Sequence, residues 1–120
     1  MTKAYRHDGG AGSAWVAQVG ERLRWAREIC ADNQSQAAKL LGADQSTFSL
    51  YERGERMVSI AVALRACSLW GLSLDYLYRG LIGGSLRRDV EVRLVARHPE
   101  LVGAGPEALA HRAKEAVPAA

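Results

Sequence analysis

The stretch NQSQAAKLLGADQSTFSLYERG, residues 33 to 54, decides the fold. Asn33 is a good N-cap for a helix from Gln34 to Leu41, because its side-chain oxygen can accept a backbone N–H that a helix start leaves unbonded. Gly42 is placed to stop that helix in the left-handed conformation glycine adopts cheaply. Asp44 and Gly54 repeat the arrangement around a helix from Gln45 to Arg53. Two caps and two stopping glycines in 22 residues describe two short helices joined by a tight turn. Ala38 is small where such helices must cross closely, and Leu41 and Phe48 supply the apolar contact that fixes their angle.

Upstream, Ser13 is expected to cap a helix whose apolar positions Val16, Val19, Leu23, Ala26 and Ile29 or Cys30 recur at helical spacing, ending near Ala31. Gly20 weakens its first half. Downstream, Ser59 is expected to cap Ile60 to Trp70, with Ile60, Leu64, Cys67 and the pair Ala63 and Trp70 on an apolar stripe and Gly71 closing it. Ser73 then caps Leu74 to Arg79, closed by Gly80. Five helices and no strand signal predict an all-α domain over residues 14 to 80. Leu86, Val90 and Leu94 at i, i+4, i+8 predict a sixth, C-terminal helix from Ser85 to Arg97, halted by Pro99, within an extension over residues 81 to 101. Residues 1 to 13 and 102 to 120, rich in Gly, Ala or Pro, are expected to be mobile tails.

A 120-residue chain that is 48% hydrophobic can build one modest core. Its apolar runs are only a few residues long, so no membrane span is expected, and the first residues hold no apolar block of the secretory kind. A cytoplasmic address follows. Cys30 and Cys67 form no Cys-x-x-Cys pair, His7, His98 and His111 are scattered, and no phosphate-binding, dinucleotide-binding or nucleophile motif occurs. Neither a metal, a cofactor nor an enzyme activity is expected. The net charge of +3 and a pI near 9.1 are only weakly basic. Residues 1 to 13, 14 to 80 and 81 to 120 each carry a net +1, so any polyanion must be met by well-placed residues rather than by a large field.

The quoted stretch resembles the helix-turn-helix of the phage-repressor and Cro type, or XRE-like, family of bacterial DNA-binding domains. Gln34, Ala38, Gly42, the cluster Gln45, Ser46 and Thr47, and then Ser49, Glu52 and Gly54 carry the likeness. It extends upstream to Leu23 and Arg27 and downstream through GLSLDYL to Gly80, roughly residues 19 to 80. Asp32 stands where relatives usually have an apolar residue, and Val58 replaces a common proline. The resemblance implies a five-helix repressor-like bundle in which the third helix enters the DNA major groove. It also implies a transcription regulator, a repressor, that binds an inverted repeat of double-stranded DNA as a homodimer at the nucleoid.

On the third helix, Gln45, Ser46, Ser49 and Leu50 share the outward face and are the expected base readers, while Phe48 and Tyr51 point inward. Asn33, Gln34, Thr47, Arg53 and Arg56 are the expected phosphate contacts. Arg22, Arg24, Lys39 and Arg65 are read as solvated surface charges. The family commonly places an ion pair at the positions of Arg27 and Glu52. Leu74, Tyr78, Leu86, Val90 and Leu94 are candidates for a dimer surface, with closure of the monomer core as the competing reading. No ligand-sensing domain fits in the remaining residues. An alternative is an antitoxin or antiactivator-like interaction module that binds DNA and also a protein partner through residues 81 to 120.

Overall fold

The computed structural model describes residues 11–103. They form five α-helices, α1 (Ala11–Cys30), α2 (Gln34–Leu41), α3 (Gln45–Glu52), α4 (Ile60–Trp70) and α5 (Arg88–Arg97), with a π-helical turn at Asp75–Arg79 and a 3-10 turn at Pro99–Gly103. No strand occurs among the described residues, as the sequence predicts. Of the tails expected at residues 1 to 13 and 102 to 120, residues 11–13 belong to α1 and residues 102–103 to the 3-10 turn, while residues 1–10 and 104–120 lie outside the described residues.

The caps expected for α2, α3 and α4 are made. The Asn33 side chain accepts from Gln36 N at 2.8 Å, Asp44 from Thr47 N at 2.8 Å and Ser59 from Val62 N at 3.2 Å. Gly42 closes α2 with φ 79°, a conformation that would strain any residue carrying a Cβ. Ser13 does not cap α1, which starts at Ala11 and carries Ser13 inside its first turn. A distant bond anchors that early start: Trp15 Nε1 donates to the Tyr78 carbonyl at 2.7 Å.

The core gathers around α1. Val19, Leu23 and Ala26 are fully buried together with Leu41, Phe48, Tyr76, Leu77 and Leu94. On α4 the expected stripe holds at Ala63 and Trp70 and fails at Ile60 and Leu64. Val62, Ala63, Ala66 and Trp70 are buried, whereas Ile60 is 56% and Leu64 50% exposed. Every residue of this helix except Arg65 and Ser68 is apolar, so periodicity leaves the inward face undetermined. Close approach decides it, because small Ala63 and Ala66 let neighbouring helices come near.

Ser73 caps the next segment, its hydroxyl accepting from Tyr76 N at 3.0 Å, but the turn is wound as π rather than α. The wider turn accommodates adjacent buried Tyr76 and Leu77 while both tyrosine hydroxyls find carbonyls, Tyr76 at Arg22 O and Tyr78 at Val58 O, each at 2.8 Å. Beyond Gly80 the core continues. Leu81, Ile82, Leu86, Val90, Leu94 and Leu101 are all buried, so the extension packs as part of the same unit. This corrects the dimer candidates: Leu86, Val90 and Leu94, at 6%, 1% and 0% exposure, close the monomer and have no surface to offer. Leu74 remains exposed and Tyr78 half-buried. Helix α5 starts at Arg88 rather than Ser85 and runs antiparallel to α1, where His98 stacks on Trp25 with ring centroids 3.9 Å apart. Among the described residues no helix is long and apolar enough to cross a membrane.

Candidate nucleic-acid interface

Two contacts with α1 hold α3 in place. Gly20 lies so close to α3 that a Cβ there would collide with the Tyr51 carbonyl oxygen, so backbone meets backbone at this crossing. About two turns further along α1, and at the residue after Tyr51 in α3, Arg27 Nε and Nη2 donate to the two Glu52 carboxylate oxygens at 2.7 and 3.1 Å. The Glu52 side chain is 3% exposed and that of Arg27 18%. Gln34 Nε2, from the first turn of α2, donates to the same carboxylate at 3.0 Å. Glu52 therefore ties α1, α2 and α3 at one buried point, and its satisfied oxygens make the junction directional.

With its C-terminal end fixed, α3 projects its N-terminal half. Phe48 and Tyr51 are buried, Gln45 and Ser46 are exposed, and Ser49 and Leu50 lie half-buried beside them. The Gln45 side chain makes no hydrogen bond among the described residues, which leaves its side-chain amide free to meet an external donor and acceptor pair. The Ser46 hydroxyl is turned onto the cap, donating to Asp44 Oδ1 at 2.8 Å. The Thr47 N–H, followed by the hydroxyls of Ser46 and Thr47, holds the Asp44 carboxyl below the usual carboxylate range, and nearby Arg56 adds to the effect.

The expected phosphate contacts fare unevenly. The Thr47 N–H is taken by Asp44, and the Asn33 oxygen by the start of α2. Gln34 keeps its amide oxygen while its nitrogen is engaged by Glu52. Arg53 and Arg56 are both exposed. The first pairs with Glu55 at 3.4 Å, and the second has no acidic partner within ion-pair distance among the described residues.

Of the arginines read from the sequence as solvated, Arg22 is part-buried and structural, whereas Arg65 stays exposed. Arg22 donates to the Leu77 carbonyl at 2.7 Å, and burial lowers its pKa. Arg65 reaches the Leu40 carbonyl at 3.4 Å, near the C-terminal end of α2. Both partners are backbone carbonyls distant in sequence, which no local pattern announces. Arg24, by contrast, makes only exposed pairs with Glu21 and Glu28, and Lys39 is exposed. Cys30 and Cys67 are free, their thiols pushed up by burial. Among the described residues no group of His, Cys, Asp and Glu is placed to hold a metal.

The family model for a helix-turn-helix domain matches residues 18–77. A protein of Pyrococcus furiosus named "Putative HTH-type transcriptional regulatory protein" is 43% identical over 54 residues, a stretch covering 45% of this chain and 17% of that protein. No solved structure matches. With half of its length inside the family match, the chain belongs to the helix-turn-helix domain family.

Proposed function

We propose that the chain is a sequence-specific regulator of transcription that binds double-stranded DNA by inserting α3 into the major groove. The observation that carries this reading is the exposed Gln45 face on a helix whose other end is locked by Glu52. Reading bases needs side chains held within a fraction of an ångström, which this junction supplies. Gln45 can offer its amide to adenine N6 and N7, Ser46 and Ser49 read base edges less selectively, and Leu50 meets a thymine methyl. No Arg or Lys stands on this face, so the strong bidentate guanine contact is missing and an operator read at A·T pairs is favoured. Arg53, Arg56 and the first turn of α2 at Asn33 and Gln34 set the register on phosphates.

One short helix gives too little contact for a specific site. The protein therefore acts as a homodimer on an inverted repeat with half-sites about 34–36 Å apart, one turn of DNA. Occupying a promoter in this way is sufficient to repress it. Residues 81 to 101 supply core side chains, which disfavours their use as a separate arm for a protein partner.

Selection from random duplex DNA tests the proposal. The wild type should enrich an A·T-weighted inverted repeat, Gln45→Ala and Leu50→Ala should alter the preferred bases, and Arg56→Ala should weaken all sequences alike while flattening the salt dependence by about one unit of slope. Absence of enrichment would overturn the function, and unaltered preferences in both face variants would overturn the base-reading assignment.

A further inference from the structure

Helix α1 begins at Ala11, ahead of its expected cap, and its first turns run beside the loop that leaves α3. Between the two lies a groove of about 660 Å³ lined by Gly12, Trp15, Val16, Gly54, Arg56 and Met57. Sites for small molecules have volumes of about 300–1,000 Å³ and mostly apolar walls with a few placed polar groups. The two glycines leave the space unfilled. Gly54 is pressed against α1, since a Cβ there would collide with the Ala17 backbone, so loop and helix stand at a fixed spacing. Trp15 is fixed as well. Its Nε1 donates to the Tyr78 carbonyl at 2.7 Å, its ring lies at 54° to that of Tyr78 with centroids 6.4 Å apart, and the residue stays 46% exposed. A groove held open in this way loses little conformational freedom when it binds.

The charges at the groove are unequal. Glu55, which also lines it, pairs with Arg53 at 3.4 Å. Arg56 is exposed and its charge reaches Asp44, yet no carboxylate stands within ion-pair distance of it among the described residues. One unpaired guanidinium beside an indole, a valine and a methionine calls for an anion with a flat apolar body.

We propose that the groove is a binding site for a small aromatic carboxylate and that filling it draws Arg56 away from the DNA backbone. The ring of such a ligand packs on Trp15 in an offset or edge-to-face arrangement, with Val16 and the adaptable Met57 against its other surfaces. Its carboxylate meets the planar fork of Arg56, whose parallel N–H groups match the two oxygens. A neutral ring would leave the guanidinium unpaired, and a cationic one would be repelled. The site stands on the groove alone, whereas its effect rests on the DNA reading above, in which Arg56 holds a phosphate. Ligand and phosphate then compete for one guanidinium, and by linkage each weakens the other by the same factor. The DNA-binding unit thus carries its own means of release by a small organic acid.

Titration of the full chain with 2-naphthoate, and with 2-naphthamide as its neutral counterpart, tests the site. Calorimetry and the Trp15 indole N–H resonance should report saturable binding of naphthoate with a Kd of about a millimolar or tighter, the scale expected of two rings at ordinary ligand efficiency. Naphthamide on the wild type, and naphthoate on Arg56→Gln, should each bind at least about tenfold more weakly, while Arg88→Gln on α5 should bind naphthoate as the wild type does. Saturating naphthoate should weaken binding to the selected duplex about fivefold or more, with no such effect on Arg56→Gln. Absence of saturable binding, or equal binding of acid and amide or by wild type and Arg56→Gln, overturns the site and leaves the DNA reading intact. Nuclear Overhauser contacts from residues 1–10 to Trp15 in the ligand-free protein also overturn it, by giving the groove to the chain itself. Naphthoate binding that depends on Arg56 but leaves duplex affinity unchanged overturns the competition. Binding of that kind in a protein that selects no duplex sustains the site and removes the DNA reading.

Discussion

The two sides of α1 are built from different chemistry. Toward α3 it presents Gly20 against a backbone carbonyl and Arg27 against a buried carboxylate. On its other side it meets α5 and the π-helical turn, where Trp25 stacks on His98, Arg22 and Tyr76 exchange bonds with carbonyls, and Val90 and Leu94 complete the packing. Apolar packing stabilises without demanding one geometry, and cores accept substitutions that conserve volume. A two-toothed ion pair beside a glycine contact admits one relative position. Under the proposed function, the side that would aim α3 is the directional one, and the side that only has to hold the bundle together is mostly apolar.

Removing one partner of the directional side should have the largest effect. Glu52→Ala strands the Arg27 guanidinium and the Gln34 amide, at a cost of about 3–5 kcal/mol in urea unfolding. Ser49→Ala, half-exposed on the same helix, should cost under about 0.5 kcal/mol. Equal midpoints for the two variants would show that the carboxylate is not the anchor. On the apolar side Leu94→Ala opens a cavity at a fully buried position and should cost about 2–5 kcal/mol. Its folded fraction should keep the wild-type base preference. A changed preference would mean that the two sides of α1 are mechanically coupled and the contrast between them is false.

Gly20→Ala tests the directional side at smaller amplitude. Alanine gains about 1 kcal/mol of helix propensity over glycine, yet its Cβ meets the Tyr51 carbonyl, which cannot rotate away. A net loss of about 1–3 kcal/mol is expected, the ordinary cost of overpacking, with α3 displaced and operator affinity falling more than stability alone explains. A stabilised variant would mean that α3 has room to move.

Gly20 also marks where sequence reading stops. Its weakening of a helix is visible locally, whereas the reason for tolerating it lies 31 positions away at Tyr51. The same distinction separates the other outcomes. The caps at Asn33, Asp44 and Ser59 involve a backbone N–H three residues on, and all three were legible. Helix α5 showed its stripe plainly, but periodicity cannot say whether a stripe faces its own core or another molecule. Helix α4 has too many apolar residues to define a stripe, and of the face expected from spacing Ala63 and Trp70 are buried while Ile60 and Leu64 are exposed. At the candidate interface the outward position of Gln45 was legible from helical geometry, while the engagement of Thr47 N–H by Asp44 changes which groups remain for phosphate.

That cap gives the smallest effect, at the opposite end of α3 from Glu52. Asp44 is exposed, and its carboxyl is held below the usual range chiefly by the Thr47 N–H. A carboxylate with a depressed folded-state pKa contributes stability that is fully present above its unfolded value, about 3.9, and is lost as pH falls from there through the folded value. Asp44→Asn keeps an oxygen for Thr47 but no charge. The melting temperature of the wild type should therefore exceed that of the variant slightly at neutral pH, and the gap should close as the pH drops below the unfolded value. The same charge sits beside Gln45, where it opposes approaching phosphates, so the variant should bind random duplex DNA more tightly and with a steeper dependence on salt. The absence of a gap at neutral pH would assign the cap's contribution to the oxygen alone, which the variant keeps, and leave the charge as a cost to DNA binding without any return in stability.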